Sequence, residues 1–131
     1  MSKMKALVVD RYGQSSNIIT KDIVKPSVTS DTVLVKVYAS SLNPVDYKIK
    51  NGFLGPLALF KKEKIVGSDF CGKVVEVGDS VTAYKVDDFV YGMINPLRAG
   101  TCAEYVLVRP EEIAHKPSAL DPFIAAALPL V

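Results

Sequence analysis

Short runs of β-branched and aromatic residues, separated by glycine, proline and aspartate, recur along most of this chain and constrain its fold most strongly. The clearest run is Asp31 to Ser40, DTVLVKVYAS, in which valine occupies every second position from Val33 to Val37. Such alternation places successive side chains on opposite faces of a strand. The same composition predicts further strands at 5–10, 17–24, 70–77, 89–91 and 101–108. With little helix between the runs, the pattern favours a β-barrel over a parallel α/β sheet.

Two short helices are predicted where a capping residue stands directly before proline. Asn43-Pro44 opens the first, in SLNPVDYKIKNG, and Asn51-Gly52 can end it. Asp121-Pro122 opens the second, which runs into an alanine-rich segment.

The composition excludes several classes of function. A chain of 131 residues with 49% apolar and 23% charged residues is a single soluble domain. Its net charge of +2 is too small to indicate nucleic acid or a membrane as partner. Lys61, Lys62 and Lys64 are interpreted as a solvated loop. The longest apolar run, Pro122 to Val131, is too short to span a bilayer, so we expect no targeting or membrane segment.

Metal ligands and nucleophiles are sparse. Cys71 and Cys102 have no CxxC partner, which predicts a reduced, cytoplasmic setting without a disulfide. His115 stands alone and is expected to be an exposed residue at a strand end. Zinc sites need three or four ligands at characteristic spacings, so we expect no metal. Gly67 to Val74, GSDFCGKV, approaches a phosphate-binding loop, but Val74 replaces the required hydroxyl and a strand follows where a helix is needed.

The segment SLNPVDYKIKNG gathers an amide, a carboxylate, a phenol and an amine, on Asn43, Asp46, Tyr47 and Lys48. In a purely structural interpretation, Asn43 caps the helix, Asp46 favours its positive end, and the other two face solvent. In a functional interpretation the four form part of a site. The residues alone leave both interpretations open.

Three segments, in order, resemble the N-terminal part of the medium-chain dehydrogenase/reductase superfamily. They are SLNPVDYKIKNG, IVGSDFCGKVVEVGDSVTAYKVDDFVYGM and GTCAEYVLVRPEEIAHKPSALDPFIAAALPLV. The branch they resemble is that of the zinc-free quinone oxidoreductases and alkenal or enone reductases. The resemblance implies a mainly β fold: a GroES-like, partly open β-barrel with short helices. It implies that residues 1–120 form this substrate-side domain. Residues 121–131 would begin a helix leading to a nucleotide-binding Rossmann domain that is absent from this chain.

The resemblance also implies that the zinc ligands are lost. Zinc-using relatives place Cys-x-x-Asp where this chain has Asn43 to Asp46, and Gly-His-Glu where it has Gly67 to Asp69. The metal-binding cysteine thus becomes Asn43 and the histidine becomes Ser68. Relatives also often have glycine where this chain has Asp87.

The implied activity is hydride transfer from NADPH to a quinone or an α,β-unsaturated carbonyl, without zinc. Asn43 would contact the nicotinamide or the substrate carbonyl, and Lys48 the nicotinamide ribose. Tyr47 would contact the substrate, Asp46 would orient the segment, and Ser68 would line the former metal pocket.

Members of the superfamily are more than twice as long, so we expect this chain to be half an enzyme without turnover of its own. Exposed sheet edges would then favour a homodimer. The alternative is a stand-alone GroES-like module that binds or self-assembles without catalysis.

Overall fold

The computed structural model describes residues 2–9, 17–44, 64–95 and 100–129, and every structural statement below refers to these ranges. They form eight strands, one 3₁₀ turn and one described α-helix. The strands are β1 (Lys3–Val9), β2 (Ile18–Val24), β3 (Val33–Ser41), β4 (Lys64–Ile65), β5 (Asp69–Val77), β6 (Phe89–Met93), β7 (Tyr105–Val108) and β8 (Ile113–His115). The 3₁₀ turn is Pro110–Glu112 and helix α1 is Pro122–Ala127.

The strands form two antiparallel sheets. One has the order β2-β1-β4 and the other the order β7-β3-β5-β6-β8. A bridge between Ala6 and Ala103 links them, and Leu7 N donates to Cys102 O at 2.8 Å. This junction makes the two sheets a partly open barrel, so the predicted mainly β, GroES-like fold is confirmed.

The hydrophobic core lies within the larger sheet. Phe70 has no exposed surface and is among its largest side chains. The other fully or nearly buried members are Val33, Val35, Val74, Val90, Ile94, Val106, Val108 and Ile113. Most are β-branched, because such side chains pack well on a pleated surface.

The structure agrees with the predicted strands in position but not in every boundary. The strand predicted at 101–108 begins only at Tyr105, and the short strands β4 and β8 were not predicted. On β3, the valine alternation is incomplete, because Leu34 is buried together with Val33 and Val35. The segment 25–28 lines a cleft together with Leu34 on this second face.

Helix α1 begins as predicted. The Asp121 side chain caps it, since Oδ1 accepts from Phe123 N at 2.8 Å, and Pro122 occupies the first turn. Of the helix predicted at 43–52, Pro44 is helical and the residues from 45 onward lie outside the described ranges.

The interpretation of Lys64 as a solvated residue was wrong. Lys64 is only 5% exposed, and its Nζ donates to Ile65 O at 2.8 Å. Strand β4 pairs with the C-terminal end of β1, where Lys64 lies opposite Val9. Lys61 and Lys62 lie outside the described residues. Among the residues that are described, no helix is long and apolar enough to cross a membrane.

Asp87 has a left-handed backbone conformation, with φ of 80°. Its carboxylate lies 3.2 Å from Lys73 Nζ, but the Asp87 side chain is 76% exposed. Left-handed geometry costs an ordinary L-residue about 1–2 kcal/mol, and asparagine or aspartate less. An exposed ion pair contributes at most about 1 kcal/mol. The backbone conformation should therefore decide which residues this turn accepts.

We expect the stability order glycine, then asparagine, then alanine for substitutions at Asp87. Asp87→Ala should cost about 1 kcal/mol in free energy of unfolding, because alanine does not tolerate the left-handed region. Asp87→Asn keeps that tolerance and removes only the charge, so it isolates the ion pair with Lys73. Urea titrations of the three variants measure the order. An alanine variant as stable as the glycine variant would show that the conformation is not the deciding factor.

Candidate functional site

A cluster of polar side chains lies where β3 ends and β5 begins. Ser41, the last residue of β3, is in register with Asp69, the first residue of β5. Asn43 follows Ser41 by two residues, and its Nδ2 lies 3.1 Å from Asp69 Oδ2. Asp69 is fully buried and Asn43 is half-buried. The sheet register therefore brings the amide onto a carboxylate that comes from a distant part of the sequence.

Ser41 connects this cluster to helix α1. Its Oγ lies 2.9 Å from Ala126 O and 3.4 Å from Asp69 Oδ2. A hydroxyl has one proton to donate, and the shorter distance favours the carbonyl. The last carbonyls of a helix lack intrahelical partners, so Ser41 satisfies one of them and fixes α1 against the sheet.

The turn before β5 forms the floor of the cluster. Gly67 has φ of 91°, and Thr101 N donates to its carbonyl at 3.1 Å. Thr101 Oγ1 donates to Asp69 O at 2.9 Å, and Thr101 is fully buried. Between them, Ser68 is fully buried too, and its Oγ has no hydrogen-bond partner among the described residues. An orphaned buried hydroxyl costs free energy, so such a group calls for an explanation.

The structure describes two of the five residues that the sequence proposed for a site. Both lie at the same end of the β3–β5 pairing: Asn43 follows the end of β3 and bonds to the Asp69 carboxylate, and Ser68 directly precedes Asp69 in the chain. Asp46, Tyr47 and Lys48 lie outside the described residues. The roles assigned to all five stay predictions.

Sequence reasoning missed Ser41 and Asp69 as members of the cluster. Asp69 follows Ser68 directly in the motif, but nothing in the sequence states that it faces Asn43. Only the register of β3 against β5 would have revealed this contact, because the antiparallel pairing of the two strands brings residues 41 and 69 together.

Metal-binding groups do not converge within the described part of the chain. No set of three or more histidine, cysteine or acidic residues there could hold a metal ion. His115 ends β8 and is exposed, as predicted. Its ring stacks on Tyr84 with centroids 4.7 Å apart, and Nδ1 lies 3.9 Å from Asp88 Oδ2.

The two cysteines are free and differ in environment. Cys71 is fully buried and packs against Ala125 and Ala126 of α1. Burial raises the pKa of the Cys71 thiol; Lys116 lowers this pKa and Asp121 raises it, both by smaller amounts. A thiol in this environment stays protonated at neutral pH and is a poor nucleophile. Cys102 is partly exposed, and its Sγ lies 3.3 Å from Ser40 Oγ.

We expect Cys71 to make the chain less stable in alkali. Its folded pKa is raised, so the stabilising difference is complete below the unfolded thiol pKa of about 8.5 and is lost as pH rises through the folded pKa. Urea unfolding should show that the free energy of unfolding falls less between pH 7.5 and pH 9.5 in Cys71→Ala than in the unsubstituted chain. Cys102→Ala is the matched control and should keep the full loss. An equal fall in the free energy of unfolding in all three proteins would contradict the assignment of this pH dependence to Cys71.

A partly open antiparallel barrel with a polar cluster between its third and fifth strands defines a GroES-like domain of the dehydrogenase type. The chain belongs to the alcohol dehydrogenase GroES-like domain family, whose family model matches residues 29–118. The predicted resemblance is thereby confirmed.

Its relatives are oxidoreductases by name. The human mitochondrial NAD(P)H oxidoreductase RTN4IP1 is 32% identical over 98% of this chain and 36% of that protein. The 2-methylene-furan-3-one reductase of Solanum lycopersicum is 36% identical over 98% of this chain and 35% of its own length. The structure of the quinone oxidoreductase from Coxiella burnetii superposes with a TM-score of 0.88 at 34% identity, covering 98% of this chain and 41% of that one. The chain thus spans little more than a third of these relatives.

Proposed function

We propose that this chain is the substrate-side domain of an NADPH-dependent oxidoreductase that reduces quinones or α,β-unsaturated carbonyls without zinc. The observation that carries the proposal is the hydrogen bond to the buried Asp69 from Asn43, which stands at a position where the resemblance expects a metal ligand. The names of the relatives, which include a quinone oxidoreductase, a 2-methylene-furan-3-one reductase and an NAD(P)H oxidoreductase, support the reaction class.

The residue types at these positions do not suit zinc. Structural and catalytic zinc sites use thiolate, imidazole and carboxylate ligands. Asn43 offers an amide and Ser68 a hydroxyl. Asp69 is a carboxylate, but its Oδ2 accepts from Asn43. A quinone or enone is an electron-poor acceptor, so orientation and hydrogen bonds can supply much of the acceleration that a metal would otherwise give.

A nicotinamide fits the polar character of the cluster. The fully buried Ser68 Oγ, which has no partner among the described residues, is a group that a ligand atom or a water could satisfy. When bound, the nicotinamide supplies the hydride. Asn43 would hold its ring, Ser68 would line the wall beside it, and the apolar sheet below would exclude water. Lys48 and Tyr47 retain their predicted contacts to ribose and substrate as part of this proposal, and Asp46 its orienting role.

The test uses the complete reading frame that contains this chain. The purified protein should oxidise NADPH in the presence of quinones or enones, and a zinc chelator should leave the rate unchanged. Asn43→Ala should lower kcat/KM about tenfold or more, the scale of a lost hydrogen bond to a charged or reacting group. No turnover on a broad panel of quinones and enones would sink the proposal. A rate abolished by the chelator and restored by zinc would overturn its metal-free part.

A homodimer is part of the proposal, through the edge of the smaller sheet. Strand β2 pairs with β1 along its whole length and lies at the sheet edge. Ile18 and Ile19 are each 41% exposed there, and Val24 is 50% exposed. Apolar edge strands are templates for pairing with another chain.

Sedimentation velocity over a range of concentrations measures this association. The unsubstituted chain should dimerise as its concentration rises, and Ile19→Lys should shift it to monomer by placing a charge on the edge. A monomer at high concentration before any substitution would contradict the interface.

A cytoplasmic location also remains a proposal. It rests on the two free cysteines, which suit a reducing compartment. The human relative is named as mitochondrial. Fractionation of cells expressing the complete reading frame decides between the compartments.

A further inference from the structure

Helix α1 is attached to the sheet by a small contact. It has six residues, and an isolated helix shorter than about 12–15 residues is marginal in water, so α1 depends on the sheet for its stability. Its buried residues, Ala125 and Ala126, pack on Cys71 of β5. Alanine side chains bury little apolar surface, so each hydrogen bond to the helix weighs heavily in its attachment.

The Ser41 hydroxyl supports the C-terminal end of α1 and has a second acceptor within reach. Its Oγ lies 2.9 Å from Ala126 O, a carbonyl to which Pro129, three residues on, has no N–H to donate. It also lies 3.4 Å from Asp69 Oδ2, the oxygen that accepts from Asn43 Nδ2 at 3.1 Å. Because the hydroxyl has one proton, it cannot donate to both acceptors at full strength.

We propose that Ser41 is a positioning residue that couples the Asn43–Asp69 pair to helix α1. While Asn43 donates to Oδ2, the Ser41 proton is left for Ala126. When Asn43 leaves Asp69, the Ser41 hydroxyl turns to the carboxylate and releases the end of the helix. The carboxylate wins that proton because it is fully buried and because hydrogen bonds to a charged group are about twice as strong as neutral ones. The inference goes beyond the proposed function, in which a ligand at Asn43 would be one cause of the change.

The first experiment measures how often α1 uncovers Cys71. With Cys102→Ala as the background, Cys71 is the one cysteine left in the sequence, and because it is fully buried a chromogenic disulfide reagent must wait for an opening to reach it. The reagent is kept dilute, so that closing is faster than labelling. Ser41→Ala removes the bond to Ala126 and should raise the labelling rate about threefold to tenfold, the scale of one net hydrogen bond.

Ser40→Ala is the matched control for this step. It removes the same hydroxyl from the neighbouring residue of β3, where Oγ lies 3.3 Å from Cys102 Sγ in the unsubstituted chain. Its labelling rate should equal that of the background. Equal rates in Ser41→Ala and Ser40→Ala would show that Ser41 does not hold the helix.

The second experiment tests the coupling with a double-mutant cycle. Asn43→Ala should also raise the labelling rate, by about threefold or more, because the Ser41 hydroxyl then turns to Asp69. The double variant Ser41→Ala/Asn43→Ala should label at the rate of Ser41→Ala within about twofold, since the route from Asn43 to the helix runs through that hydroxyl. Two independent structural roles would multiply the two effects instead. Multiplied effects, or an unchanged rate in Asn43→Ala, would refute the coupling.

Two further measurements keep the test decisive if a variant is less stable. Labelling through a local opening of α1 should depend weakly on urea, whereas labelling through global unfolding depends on it steeply. Hydrogen exchange of the Ala125 amide, which donates to Asp121 O at 2.9 Å, should rank the variants in the same order without any cysteine substitution. A steep urea dependence in the background protein would show that α1 does not open by itself and would overturn the proposal. None of these measurements uses a nicotinamide, so they decide the link between the cluster and the helix whether or not the proposed function holds.

Discussion

Replacing Phe70 with alanine is expected to destabilise the chain by about 3–5 kcal/mol. Phe70 is fully buried in the core of the larger sheet, where it lies in register with Ser40 on one side and Gly92 on the other. Removal of the ring loses its transfer free energy and leaves a cavity that two paired strands cannot close. Because domains of this size are stable by only about 5–15 kcal/mol, the loss is a large share of the total.

The matched control is Phe123→Ala. Phe123 is 74% exposed in the first turn of α1, so its removal should change stability by no more than about 0.5 kcal/mol. Urea unfolding followed by circular dichroism suits both variants, since the chain has no tryptophan. A Phe70→Ala variant as stable as Phe123→Ala would mean that the sheet core is placed wrongly.

The strands that could be predicted are those whose own residues carry the signal. Alternation locates β3, and a run of apolar and β-branched residues locates β5, each within a few residues. Strands β4 and β8, with two and three residues, are too short to show any period. These two strands form because a neighbouring strand offers unpaired backbone groups. The residues of the short strands themselves do not show that such a neighbour is present.

The same distinction applies to the candidate site. The sequence proposes Asn43 and Ser68 for the site: Asn43 stands in the polar segment SLNPVDYKIKNG, and Ser68 enters through the resemblance. It does not identify Asp69 as the partner of Asn43, because that contact depends on the register between β3 and β5. The burial of Lys64 was mispredicted for a similar reason: β4 pairs with β1, which is far away in the sequence.

Gly67→Ala should be the most disruptive single substitution near the candidate site. Gly67 has φ of 91°, a conformation that costs an L-residue about 1–2 kcal/mol. A Cβ there would also lie 2.6 Å from Thr101 Oγ1 and 2.8 Å from Cys102 Sγ, and overpacking of this kind costs about 1–3 kcal/mol. The two effects together predict a loss of about 3 kcal/mol in free energy of unfolding, measured by urea titration.

Ser68→Ala is the control at the next residue, and the contrast between the two variants separates stability from function. Its Oγ is fully buried and has no hydrogen-bond partner among the described residues, so its removal should leave stability unchanged or slightly higher. If that hydroxyl serves a ligand, Ser68→Ala should weaken nicotinamide binding in a chain that unfolds at the same urea concentration as before. A strongly destabilised Ser68→Ala would show that the hydroxyl has a structural partner, and a Gly67→Ala variant of normal stability would show that the turn can relax. Adding one carbon at residue 67 should cost more free energy of unfolding than removing one oxygen at residue 68. The constraint on this turn is therefore steric, and the Ser68 hydroxyl is left available to bind a ligand.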